Sequence, residues 1–157
     1  MKKLILIRHG EAEPETTKTA DFDRDLTFTG KQATAKMAAL LLNNVTAPDY
    51  IVSSPAIRAL NTAHIFAATF GLDQINTDSE IYEANATTLL KIISLINNDR
   101  DVVWLVGHNP GISNVLYNLT GEVTTMPTSA WVELDLIAEN WTEVSINTAT
   151  LLQYKFP

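Results

Sequence analysis

The stretch Lys2-Lys3-Leu4-Ile5-Leu6-Ile7-Arg8-His9-Gly10-Glu11 passes from aliphatic to charged within a single residue. Leu4 to Ile7 is a short apolar run with no polar alternation, so it reads as a strand buried on both faces. Strands of that kind belong to parallel sheets covered by helices. A guanidinium, an imidazole and a glycine follow at once. A hydrophobic core has no need of Arg beside His at a strand end. A site that holds an anion and attacks it with an imidazole nitrogen needs both.

Outward from this strand (Lys2 to Ile7), the chain alternates. A polar loop runs from Arg8 to Leu26, and Thr29 to Asn44 is helical, with Ala33, Met37, Leu40 and Leu41 on one face. Tyr50 to Ser53 reads as a second strand. Pro55 to Phe70 reads as a helix with Ser54 as N-cap and Gly71 just past its end. Gln74 to Thr77 is a weak strand, and Ala86 to Asn97 a helix with Leu89, Ile92, Ile93 and Ile96 inward. Asp101 to Val106 is another buried strand. Pro110 to Thr120 is a helix capped by Asn109 and Gly121, its inner face Ile112, Val115, Leu116 and Leu119. Then Trp131 to Leu136 and Thr142 to Asn147 alternate as strands around a turn at Ala138-Glu139-Asn140, and Leu151 to Phe156 closes the chain. Strands alternating with helices predict an α/β fold with a mostly parallel sheet, to which the C-terminal hairpin adds antiparallel strands. With no repeat or linker, residues 1–157 are expected to form one domain.

Composition narrows the function. The 46% apolar fraction suits a globular chain, and there is no cysteine for disulfide or thiolate chemistry. The net charge of −7 argues against nucleic acid as a partner. No stretch approaches a membrane span, and the N-terminal apolar run is too short for a signal-peptide core. A soluble, cytoplasmic protein is expected.

Ligands of open α/β sheets bind at the carboxyl ends of the parallel strands. Three segments deliver polar residues there: Arg8-His9, Ser53 to Arg58, and Gly107-His108-Asn109-Pro110-Gly111. Arg58 lies in the first turn of its helix, where the dipole disfavours a cation by about 0.3–1 kcal/mol. A shared anion removes that conflict. Neighbouring cations keep His9 neutral and nucleophilic, fit to attack phosphorus and form a phosphohistidine. Arg8, Arg58 and His108 would stabilise the transferring phosphoryl oxygens. A metal site built from His9, His108 and a carboxylate competes with this reading, but two arginines would repel the ion. His64, on the second helix, reads as structural.

These residues carry a family resemblance. Arg8-His9-Gly10 with Ala12 resembles the Arg-His-Gly signature of the histidine phosphatase superfamily, the phosphoglycerate-mutase-like fold. Asp21, Arg24, Leu26, Thr27 and Gly30 resemble the next pattern of its SixA-like branch, with Asp25 where proline is usual. Ser54-Pro55, Arg58-Ala59 and Thr62-Ala63 match a further motif, Ile81-Tyr82-Glu83-Ala84 resembles an intervening segment, and Gly107-His108-Asn109-Pro110 matches the last. The resemblance implies a three-layer α/β/α sandwich, no metal and no cofactor. It implies His9 as phosphoacceptor, with Arg8, Arg58 and His108 as the catalytic, substrate-binding phosphate pocket. It makes Glu83 the candidate general acid, with Glu80 its rival and a surface role for both the alternative. Arg24 either approaches the site or braces the loop through Asp21.

The interval from Glu83 to His108 leaves little room for a lid. An open pocket suits a phosphohistidine on a protein, the SixA-like reaction, or else a small phosphomonoester. A phospho-residue binding module without turnover is the non-enzymatic reading. The phosphorylated substrate is the partner expected; the oligomeric state is left open.

Overall fold

The computed structural model describes residues 1–157. Strands β1 (Lys2–Arg8), β2 (Tyr50–Ser53), β3 (Asn76–Thr77), β4 (Val102–Gly107), β5 (Trp131–Leu136) and β6 (Ala149–Lys155) form one sheet in the order β3-β2-β4-β1-β5-β6. β3, β2, β4 and β1 run parallel, and β5 and β6 each pair antiparallel. Helices α1 (Phe28–Leu42) and α2 (Ile57–Thr69) cover one face, and α3 (Ala86–Ser94) and α4 (Gly111–Thr120) the other. This is the expected α/β sandwich.

The opening run explains why both faces need helices. Leu4 and Leu6 pack with Leu89, Ile93, Ile112 and Leu116; Ile5 and Ile7 pack with Met37, Leu41, Ala63 and Phe66. All four strand residues are wholly buried. Each such side chain contributes about 1.5–3 kcal/mol on leaving water. Alternate residues face opposite layers, so neither layer permits a polar position.

Several boundaries differ from the sequence expectation. α1 starts at Phe28, where the Thr27 hydroxyl accepts a 2.8 Å hydrogen bond from the Gly30 amide. Its buried face is Gly30, Thr34, Met37, Ala38 and Leu41, and Leu40 points outward. An alanine-rich helix with three successive leucines carries little phase information, and buried Thr34 is hidden from a hydrophobic pattern because it bonds Ser129. α2 starts at Ile57 with Ala56 at its cap. Ser54 instead accepts from the Ala56 amide (3.2 Å) in the turn before it. α3 stops at Ser94 rather than Asn97. α4 begins at Gly111 with Pro110 at the cap position, while Asn109 bonds Ser113 through its side chain. Gly121 ends α4 in the left-handed region (φ 79°), as its position predicts.

The strand expected at Thr142 to Asn147 is absent. Trp141–Glu143 is a single 3-10 turn, and β6 starts at Ala149. Trp141 accounts for this. Its ring is wholly buried, its indole donates to the Arg100 carbonyl (2.7 Å), and its amide donates to Asn98 Oδ1 (2.8 Å). That anchor pulls the chain off the sheet, and β5 pairs with β6 directly, Leu136 opposite Ala149.

Candidate active site

The site grows from one register. Arg8 of β1 lies opposite Gly107 of β4, so His9 and His108 leave adjacent parallel strands side by side. Their ring centroids are 5.0 Å apart, and the His9 amide donates to the Gly107 carbonyl (3.1 Å). β2 ends beside β4 with Ser53 opposite Val106, which brings Ser54 to the same edge.

Local bonds define each group's state. His9 Nδ1 lies 2.7 Å from the Gly10 carbonyl oxygen. A carbonyl only accepts, so the proton sits on Nδ1 and Nε2 carries the lone pair. Burial lowers the His9 pKa to about 4; the Gly10 bond opposes the shift, and the charges of Arg58, Arg8 and Arg24 reinforce it. The imidazole is therefore neutral at pH 7. His108 Nε2 lies 2.8 Å from the Ser54 hydroxyl, while its buried Nδ1 has no partner. Burial, then the positive charge that His9 and Arg58 would set against it, lowers its pKa to about 3.

Arg58 is only 6% exposed. Its Nη1 donates to the Asp21 carbonyl (2.7 Å) and its Nη2 to Asp21 Oδ2 (3.1 Å), while Nε is unpartnered. Arg8 donates from Nη1 to the Met126 carbonyl (2.9 Å), and its buried Nε is likewise free. Burial lowers the Arg8 pKa. Buried donors without acceptors are uncommon and cost about 1–3 kcal/mol each. Here they gather around one imidazole.

The frame is tight. The Gly10 amide donates to Thr62 Oγ1 (2.9 Å), and the Thr62 hydroxyl donates to the Arg58 carbonyl (2.7 Å), tying the loop after β1 to α2. A Cβ on Gly10 would stand 2.5 Å from Thr34 Oγ1, so only glycine fits. Ser129, held at φ 65°, donates its amide to the His9 carbonyl (3.1 Å).

Four of the five predicted site residues, Arg8, His9, Arg58 and His108, converge. Glu83 does not join their hydrogen bonds: it is exposed, on a left-handed turn (φ 58°). Glu80 is also exposed, in the 3-10 turn Ser79–Ile81. Their neighbour Tyr82 does join. Its hydroxyl donates to Asp21 Oδ2 (2.6 Å) and its ring meets that of His108 edge-on, centroids 5.6 Å apart. The bond to Asp21 pushes the Tyr82 hydroxyl up to about 12. Asp21 is the hub, since Arg24 also bonds it (2.8 Å). Tyr82, then Arg24, hold the Asp21 carboxyl well below the usual carboxylate range. Arg24 thus braces the loop through Asp21 and also adds charge near His9. Asp21 and Tyr82 were visible only as motif positions; no periodicity or spacing points to their role. Asp25, where proline is usual, accepts from the Leu26 amide and the Asn61 side chain (2.7 Å each), pinning the loop to α2. His64 is exposed and outside the site. No group of three or more His, Asp or Glu side chains is arranged to hold a metal ion.

Residues 4–93 match the family model of the histidine phosphatase superfamily (branch 1). The chain belongs to the histidine phosphatase superfamily. Within it, the chain is of the SixA-like branch. The crystal structure of a protein assigned as the phosphohistidine phosphatase SixA of Agrobacterium tumefaciens superposes with a TM-score of 0.87 at 28% identity, covering 99% of both chains. A protein histidine phosphatase SixA complexed with tungstate gives a TM-score of 0.81 at 21% identity, over 97% of this chain and 95% of that one. An uncharacterised protein of Mycobacterium leprae (strain TN) is 28% identical over 149 residues, 88% of this chain and 89% of its own length. Family and fold support a phosphatase hydrolase. No helix is long and apolar enough to cross a membrane.

Proposed function

We propose that the enzyme forms a covalent phosphohistidine on His9, uses no metal ion, and removes phosphate from phosphohistidine borne by a protein. The observation that carries this reading is the tautomer of His9. Its Nδ1 proton is held by Gly10, which leaves Nε2 as a neutral nucleophile. In the first step Nε2 attacks phosphorus in line, the new N–P bond forms, and the P–N bond of the substrate breaks. Arg8 Nε and Arg58 Nε are the free donors for the equatorial oxygens. A phosphoimidazole protonated on its distal nitrogen leaves as neutral imidazole, so it needs no enzymic acid. This fits a site in which the Glu83 side chain makes no hydrogen bond to the pocket and Asp21 is held ionised. Water then attacks phosphorus, the His9–P bond breaks, and phosphate departs. A small phosphomonoester is the second reading; it would need Glu83 to protonate the leaving oxygen.

The test compares p-nitrophenyl phosphate with a phosphohistidine-bearing protein, with and without EDTA, for wild type and His9→Ala. Chelator-resistant turnover, lost in His9→Ala and faster on phosphohistidine, is expected. Loss of activity with EDTA would overturn the mechanism. Faster turnover of the ester would overturn the substrate class. Binding without turnover would leave a recognition module.

A further inference from the structure

The phosphate pocket is cationic, yet the segments that rise around it are acidic. The segment after β1 carries Glu11, Glu13, Glu15, Asp21, Asp23 and Asp25 against only Lys18 and Arg24. Arg24 is spent on Asp21. The segment after β3 adds Asp78, Glu80 and Glu83, with no cation. Both strands end at the edge of the sheet that carries His9, and the loop entering β5 supplies the Met126 carbonyl to Arg8. Glu11, Glu13, Glu15, Asp23, Glu80 and Glu83 are exposed. Lys155, at the same end of the sheet, stands two strands away on the outer edge, and Lys31 lies on α1. Between Asp21 and Asp23, Phe22 is 38% exposed and meets the Tyr82 ring edge-on at 5.2 Å. Inside this collar lie the buried, unpartnered Arg8 Nε, Arg58 Nε and His108 Nδ1.

A collar of carboxylates repels a free polyanion and attracts a cationic surface that carries one phosphoryl group. We propose that the collar is a docking surface for a basic protein segment flanking the phosphorylated residue, with Phe22 as its apolar contact; this rests on the phosphatase reading above. Selectivity then comes from the surroundings of the phosphoryl group, and the pocket itself stays indifferent to them.

The test uses two phosphohistidine peptides of equal length, one flanked by lysines and one by glutamates, together with p-nitrophenyl phosphate. At low salt, kcat/KM for the lysine-flanked peptide is expected to exceed the other by about tenfold or more. The ratio should fall towards one in 0.5 M NaCl, because exposed charges are screened over about 3–10 Å at such ionic strengths. In the variant Glu13→Lys, Glu15→Lys, Asp23→Lys the preference should vanish or invert, while p-nitrophenyl phosphate turnover stays within about twofold of wild type. A ratio near one at low salt in wild type refutes the proposal without any variant. A ratio unchanged in a variant that still turns over p-nitrophenyl phosphate refutes it too. If neither phosphohistidine peptide reacts while the ester does, the substrate class fails, and the same comparison on phosphoserine peptides decides the docking surface separately.

Discussion

Replacing Asp21 with asparagine tests the hub of the site. The carboxylate accepts from Tyr82 at 2.6 Å, Arg24 at 2.8 Å and Arg58 at 3.1 Å. Charge-assisted bonds contribute about 1.5–3 kcal/mol each when buried. Asp21 is a third exposed, so water screens part of this, and asparagine keeps one acceptor oxygen. A net loss of about 2 kcal/mol follows, or a fall in Tm of about 4–8 °C for a chain of this size. The loss must depend on pH in one direction. The carboxyl is held below its ordinary value in the folded protein, so its contribution is present above an unfolded pKa of about 3.9 and fades as pH falls towards the folded value. Urea unfolding of wild type and Asp21→Asn at pH 7, 5 and 3 should show the gap holding to pH 5 and shrinking by about 1 kcal/mol at pH 3. A gap of the same size at all three would mean that Asp21 stabilises by shape alone, and the charge argument would be wrong.

Other expectations concern single groups. The kcat/KM for p-nitrophenyl phosphate should stay level from pH 7 to about 5 and fall by half near pH 4, where His9 takes up a proton; an acid limb near 6.5 would contradict the burial argument. Glu83→Gly relieves a left-handed residue and should stabilise the fold by up to about 1 kcal/mol in urea titrations. The same variant should leave p-nitrophenyl phosphate turnover within about twofold of wild type, and a tenfold fall would make Glu83 the proton donor after all. Gly10→Ala places Cβ 2.5 Å from Thr34 Oγ1 and should cost about 1–3 kcal/mol, together with most of the activity, since Gly10 also holds His9 and Thr62.

The central strands and the residues that gather at their ends, Arg8, His9, Arg58 and His108, were legible because both are local signals. Leu4 to Ile7 and Val102 to Val106 are apolar runs that end abruptly in His-bearing turns. The hydrophobic faces of α3 and α4 likewise sit at clean helical spacing. What escaped detection depends on long-range hydrogen bonds. Thr34 is buried only because Ser129 meets it, and Trp141 leaves the sheet only because Asn98 and Arg100 hold it. Asp21 becomes a hub when Tyr82, sixty-one positions along the chain, folds onto it. The glutamate favoured by motif is exposed, while the tyrosine beside it meets the histidine.

The pairing of Arg8 with Gly107 exposes an ambiguity in the core and its remedy. Slipping β1 by one residue would turn every side chain to the wrong layer, and the core forbids it. Slipping it by two would return Leu, Ile and Leu to equivalent faces, yet carry His9 about 7 Å along the strand and away from His108. Oil alone distinguishes odd from even. The bonds that select among the even registers are polar and lie at the strand's two ends: Lys2 to Asn98, Arg100 and Asp101 at one, and His9 to Gly107, Gly10 to Thr62 and Ser129 to His9 at the other. The residues that set His9 beside His108 are thus also among the index marks by which β1 is aligned.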